Sequence, residues 1–222
     1  MLDCVRDASE RTGLGMAVVI AANRTRHPLD ARTLARLAAQ YAGRGVVGFG
    51  LSNDERRGVT ADFAAAFAIA QRAGLLLAPH GGELRGPDNI RLCLDHLRAD
   101  RLGHGVRVSE DPALLERVAA SGVALEVCPV SNVALGVYSD LTSVPLPQLL
   151  EAGATVALGA DDPLLFGSRL EGQYATMRAA HELSDATLAE LARMSFRASR
   201  APSDVLDTAL KDIDGWLDAG PA

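Results

Sequence analysis

The sequence predicts an α/β chain of six parallel strands and intervening helices, arranged as a TIM-like (β/α) barrel. Three observations predict it. Short, uniformly apolar runs alternate with longer amphipathic ones along nearly the whole chain. The apolar runs lack a strict polar alternation, as expected for strands buried on both faces. Polar and reactive residues recur directly after one apolar run after another. A barrel gathers its chemistry at the ends of many strands, whereas a doubly wound sheet concentrates it at one switch point.

The strands are predicted at 16–22 (MAVVIAA), 45–51 (GVVGFGL), 74–80 (GLLLAPH), 100–106 (DRLGHGV), 123–129 (VALEVCP) and 154–160 (ATVALGA). Helices are predicted between them. Residues 29–43 place Leu34, Leu37 and Ala38 near helical spacing, with Gly43 as the stop. Residues 60–74 open on Thr60 as an N-cap and close on Gly74. Residues 87–100 and 111–122 each carry a proline near the start, and 143–153 is shorter. The last strand is followed by helices over 168–183, 184–199 and 202–218. With no linker and no repeat, residues 1–222 read as a single incomplete barrel domain.

Bulk properties exclude several classes. Lys and Arg total 22 against 28 Asp and Glu, a formal charge of -6, and the basic residues are scattered. That is no nucleic-acid footprint. No apolar run approaches the roughly 20 residues of a membrane helix, and the charged opening MLDCVRDASERTG is no signal peptide. Three cysteines without a CxxC pair fit a reducing compartment, and the chain is expected in the cytoplasm. Ala- and Arg-rich, Lys-poor usage suits a bacterial genome.

Four motifs carry the chemistry. In PHGGE (79–83), His80 ends a strand and Glu83 follows across two glycines. An imidazole nitrogen suits Zn²⁺ or Fe²⁺, and a carboxylate beside a metal-bound water can move protons to and from it. RLGHG (101–105) delivers His104 at the next strand end. LEVCPVSN (125–132) reads as a turn built from Pro129, Ser131 and Asn132, with a supporting role open to it. GADDPLLF (159–166) sets two adjacent acids, Asp161 and Asp162, after an apolar run. Acids ahead of Pro163 also suit a helix N-terminus, but their place after TVALGA favours a site. GRGVVG (43–48) fits the dinucleotide spacing yet enters a strand instead of leaving one. His27, His96 and His181 are read as structural, and Cys128 as no ligand.

These four motifs, in this order and spacing, resemble the adenosine deaminase family of metal-dependent hydrolases over about residues 16–200. The resemblance implies an eight-stranded barrel, one Zn²⁺, and replacement of the exocyclic amine of a purine nucleoside by oxygen with release of ammonia. It implies that His80 and Asp161 are metal ligands and that Glu83 protonates the purine ring nitrogen. His104 then orients the attacking hydroxide and helps it form, and Asp162 meets both the attacking water and the purine edge. Asn53 stands in LSNDE, where family members that use adenosine carry a glycine whose backbone binds the purine; it is assigned to substrate binding. The spellings LSNDE and GADDP are similar to a bacterial branch that deaminates aminodeoxyfutalosine, in menaquinone biosynthesis.

The sequence departs from that pattern in one respect that matters. It has no His-x-His, which in the family gives two further ligands on the first strand. The six strands match barrel strands three to eight, so an N-terminally truncated member is expected. The competing reading is a catalytically inactive fragment or partner subunit of a deaminase; a weaker one is another hydrolase chemistry on the same scaffold. An open barrel makes homo-oligomerisation plausible, and no nucleic-acid or membrane partner is expected.

Overall fold

The structure is a computed structural model and is described for residues 1–220. It is α/β, with six strands separated by helices, and every strand pairing described is parallel. Two compact units divide between Gly103 and His104.

The first unit holds α1 (Leu2–Thr12), β1 (Val18–Asn23), α2 (Pro28–Gln40), β2 (Val46–Ser52), α3 (Ala64–Arg72), β3 (Leu76–Gly81) and α4 (Pro87–Leu97). β4 (Arg101–His104) spans the division. β1 pairs with β2 from Val19 opposite Gly48 to Asn23 opposite Ser52, and β2 pairs with β3 from Gly48 opposite Leu76 to Leu51 opposite Pro79. Phe49 of β2 meets Phe67 of α3 edge to face, with ring centroids 5.2 Å apart. That geometry favours both aromatic quadrupoles and anchors the helix on the sheet.

The buried face of α2 differs from the predicted one. Ala31, Ala35 and Ala38 are buried, while Leu37 is 44% exposed. A stripe of alanines lets the helix approach closely, so the larger leucine rotates outward. Helix α3 also starts later than predicted. Residues Thr60–Phe63 form a 3₁₀ turn, and Phe63 occupies the N-cap position without a side-chain bond. Thr60 is therefore no cap: its hydroxyl donates to Asn89 Oδ1 at 2.6 Å and accepts from Arg24 Nη1 at 3.2 Å. The charged stretch read only as no leader forms α1, which ends on left-handed Gly13.

The second unit, from His104 onward, holds α5 (Pro112–Ser121), β5 (Ala124–Val127), α6 (Pro129–Ala134), α7 (Leu146–Glu151), β6 (Thr155–Leu158), α8 (Pro163–Phe166), α9 (Leu170–His181), α10 (Asp185–Arg197) and α11 (Ser203–Asp218). β5 pairs with β6 from Ala124 opposite Thr155 to Val127 opposite Leu158. The strand predicted at 100–106 stops at His104, whose φ of 65° leaves the extended region. Residues 129–134, predicted as a turn, form α6, since Pro129 at its first position needs no hydrogen-bonded N–H there. Among the described residues, no helix is long and apolar enough to cross a membrane.

Candidate active site

In the first unit the candidate residues stand at strand ends. His80 is half-buried near the end of β3, and Glu83 is buried in the turn that follows. A ring nitrogen of His80 and a carboxylate oxygen of Glu83 lie within 4.8 Å of each other. The imidazole rests over Gly103 of β4. A Cβ built at Gly103 would come 2.4 Å from His80 Cδ2, far inside van der Waals contact, so only glycine leaves the ring this position.

Beneath them lies a buried ionic layer. Arg24, 1% exposed, donates from Nη2 to the carbonyl oxygen of His80 at 2.6 Å. Burial lowers its pKa, and the charge of Glu55 opposes that shift. Glu55, fully buried, accepts the backbone N–H of Glu83 at 3.1 Å and of Arg85 at 2.8 Å through Oε2. The N–H of Leu84 also bonds to this carboxylate. Burial raises the pKa of Glu55, while the three amides and Arg24 pull it down. The sequence alone singles out neither Glu55 nor Arg24. The available signal was a charged residue directly after an apolar strand, where desolvation requires a partner.

Asn53 directly follows β2, is exposed, and has a φ of 83°. Its Oδ1 accepts the N–H of Asp54 at 3.3 Å, a local turn contact.

In the second unit His104 is 3% exposed, and its Nδ1 lies 3.2 Å from Asn132 Nδ2 on α6. The imidazole tautomer and the amide orientation together set which group donates in this contact. Burial lowers the pKa of His104 to about 4, which keeps the ring neutral near pH 7. The neighbour of Asn132, Ser131, donates to Asp161 Oδ2 at 2.5 Å. Asp161 is exposed and left-handed, with φ 56°. Close by, a Cβ at Gly159 would stand 3.0 Å from Cys128 Sγ, which favours glycine before the acid pair.

The two adjacent acids go separate ways. Asp162 is the N-cap of α8, and its Oδ1 accepts the N–H groups of Leu164 and Leu165 at 3.1 and 3.0 Å. The helix-cap reading thus holds for Asp162 as a local contact, while Asp161 turns to Ser131. Sequence reading missed Gln173 of α9. Fully buried, it accepts from Val130 N–H and donates to Ser168, joining α6 to the segment between α8 and α9. A single glutamine on a helix carries no sequence signal for that role.

Residues 1–216 match the adenosine deaminase family model. A Streptomyces virginiae protein, provisionally named an adenosine/adenine deaminase, is 64% identical over 217 residues, covering 98% of this chain and 64% of its own length. An adenine deaminase of a Chelativorans species is 41% identical over 192 residues, 86% of this chain and 59% of that protein. The chain thus spans less than two thirds of these relatives. The crystal structure of adenine deaminase from Arthrobacter aurescens superposes with a TM-score of 0.89 at 28% identity, covering 97% of this chain and 66% of that one. The motifs and the match along the chain agree: this chain belongs to the adenosine deaminase family.

Proposed function

We propose that the chain carries the reacting face of a hydrolytic deaminase for a 6-aminopurine base or nucleoside. The observation that supports this most is the set His80, Glu83, His104, Asp161 and Asp162, each at or just after a strand end, in a chain of the adenosine deaminase family. Relatives named as adenine deaminases favour the free base as the first compound to try. The spelling Ser52-Asn53 keeps aminodeoxyfutalosine in the panel.

The donors bear on the metal as follows. An imidazole from His80 and a carboxylate from Asp161 are the nitrogen and oxygen ligands zinc takes. A catalytic zinc takes about three protein ligands, so these two do not complete its shell. Zinc, where bound, lowers the pKa of water. Glu83 hands a proton to the ring nitrogen of the purine, so that negative charge does not build on the ring as water adds at the carbon bearing the amine. His104, kept neutral by burial, is able to accept a hydrogen bond or proton from that water, and Asp162 orients it. The proton that His104 takes from the water passes to the amine, which leaves as ammonia as its bond to carbon breaks, and the hydroxyl proton of the adduct returns to the carboxylate of Glu83.

The test is a panel of adenine, adenosine and aminodeoxyfutalosine, with ammonia and bound zinc measured on the same sample. One ammonia per purine consumed from at least one of them is expected. Stoichiometric zinc with no ammonia from any would overturn the reading.

A further inference from the structure

The buried carboxylate of Glu55 has no place in the chemistry above, yet three consecutive backbone amides converge on it. Oε2 accepts from Glu83 at 3.1 Å and from Arg85 at 2.8 Å, and Leu84 N–H bonds to the same carboxylate. Successive N–H groups turned to one side form a concave anion site. Here the anion belongs to the protein's own β2–α3 connection and is fully buried. Arg24 makes no direct ion pair with Glu55, but the two charges stabilise each other, and Arg24 Nη2 donates to His80 O at 2.6 Å. Thr60 and Asn89 extend the set, with Arg24 Nη1 to Thr60 at 3.2 Å and Thr60 to Asn89 at 2.6 Å.

We infer that Glu55 is a positioning residue: with Arg24 it fixes the backbone of the turn at 81–85, and so sets where the carboxylate of Glu83 is held. Arg24 fixes the turn at its start, through the His80 carbonyl, and Glu55 fixes it from Glu83 to Arg85. Two glycines, Gly81 and Gly82, lie between these anchor points, and Gly82 has a φ of 78°. A turn so permissive does not hold a side chain in one place by its own conformational preference, and the buried carboxylate supplies the restraint. The bonds to Glu83 and Arg85 fall on Oε2, while Oε1 is buried without a hydrogen-bond partner among the described residues, so the restraint is exerted through one carboxylate oxygen. The inference rests on the proposal that Glu83 is the proton donor.

The experiment compares Glu55→Gln and Glu55→Ala with the unaltered protein by amide hydrogen exchange and by steady-state kinetics. Glutamine keeps an acceptor oxygen but loses the charge that makes such bonds about twice as strong. Exchange at residues 83–85 should rise about threefold in Glu55→Gln and about tenfold or more in Glu55→Ala. Exchange at Phe49 and Leu77 in the strands should stay unchanged. Per folded molecule, kcat should fall in both variants with KM held, whereas a merely structural residue would lower only the folded fraction. Unchanged exchange at 83–85 in Glu55→Gln, or acceleration spread evenly over the chain, would overturn the inference even if Glu55→Ala does not fold. Lack of turnover by the unaltered protein would sink the deaminase reading instead, and the exchange comparison would still decide the role of Glu55.

Discussion

Ser131 donates its hydroxyl hydrogen to Asp161 Oδ2 at 2.5 Å, which joins α6 to the segment following β6. The bond engages one carboxylate oxygen and aims the other. A hydroxyl hydrogen-bonded to a metal-binding carboxylate restricts its orientation and contributes to affinity. Ser131→Ala should therefore weaken zinc binding by about 10- to 100-fold. Competition with a chromophoric chelator measures this, and unaltered affinity would show that the bond serves only the local fold.

Asp161 and Asp162, adjacent in sequence, make different contacts, and substitution should separate them. Asp161→Ala should lose bound metal. Asp162→Ala removes both a candidate catalytic carboxylate and the cap of α8, a loss of about 1 kcal/mol for a typical cap. Asp162→Ser keeps a capping oxygen without the charge. It should retain zinc and thermal stability and still lose turnover, which metal analysis, calorimetry and ammonia release together would establish.

Gly103 tests the place of His80 without touching its chemistry. The Cβ of Gly103→Ala would sit 2.4 Å from His80 Cδ2, so the ring must swing away while β3 and β4 remain. A folded protein with weakened zinc binding is expected. Zinc affinity equal to that of the unaltered protein would mean that this ring position is not the liganding one.

The acid behaviour of the metal-free protein follows from His104. Its folded-state pKa of about 4 lies below the ordinary value of 6.5. Between those values the unfolded chain takes up a proton that the folded chain refuses. The contribution to stability is thus complete above pH 6.5 and is lost as pH falls toward 4. At about 1.36 kcal/mol per pKa unit the loss is on the order of 3 kcal/mol. Urea unfolding of zinc-free protein across this range should show that slope, and His104→Gln should flatten it.

The strand–helix order was legible because short apolar runs leave a plain signal, and all six became strands, although the first, β1, is buried only at Ala22 and leaves Val19 45% exposed. Their ends were less legible. The fourth strand stops at His104 because of a left-handed residue, which no propensity would reveal. The face of α2 was misread because hydrophobicity favours Leu37, while close packing favours Ala31, Ala35 and Ala38. Histidines and acids after strands stood out as reactive groups in the wrong place for a core. Their supports did not: Arg24, Gln173 and the hydroxyl of Ser131 act through contacts 30 to 56 residues away in sequence, which only the fold brings together.

The most direct measurement of the central claim is ammonia release from adenine and adenosine by zinc-supplemented protein, with Glu83→Gln beside it. Glutamine matches the shape of Glu83 but cannot supply its proton. Release by the unaltered protein, with the variant about 10²- to 10⁴-fold slower at equal zinc content, is the expected result. Equal rates in the two proteins, or no release by the unaltered protein, would contradict a deamination in which Glu83 is the proton donor.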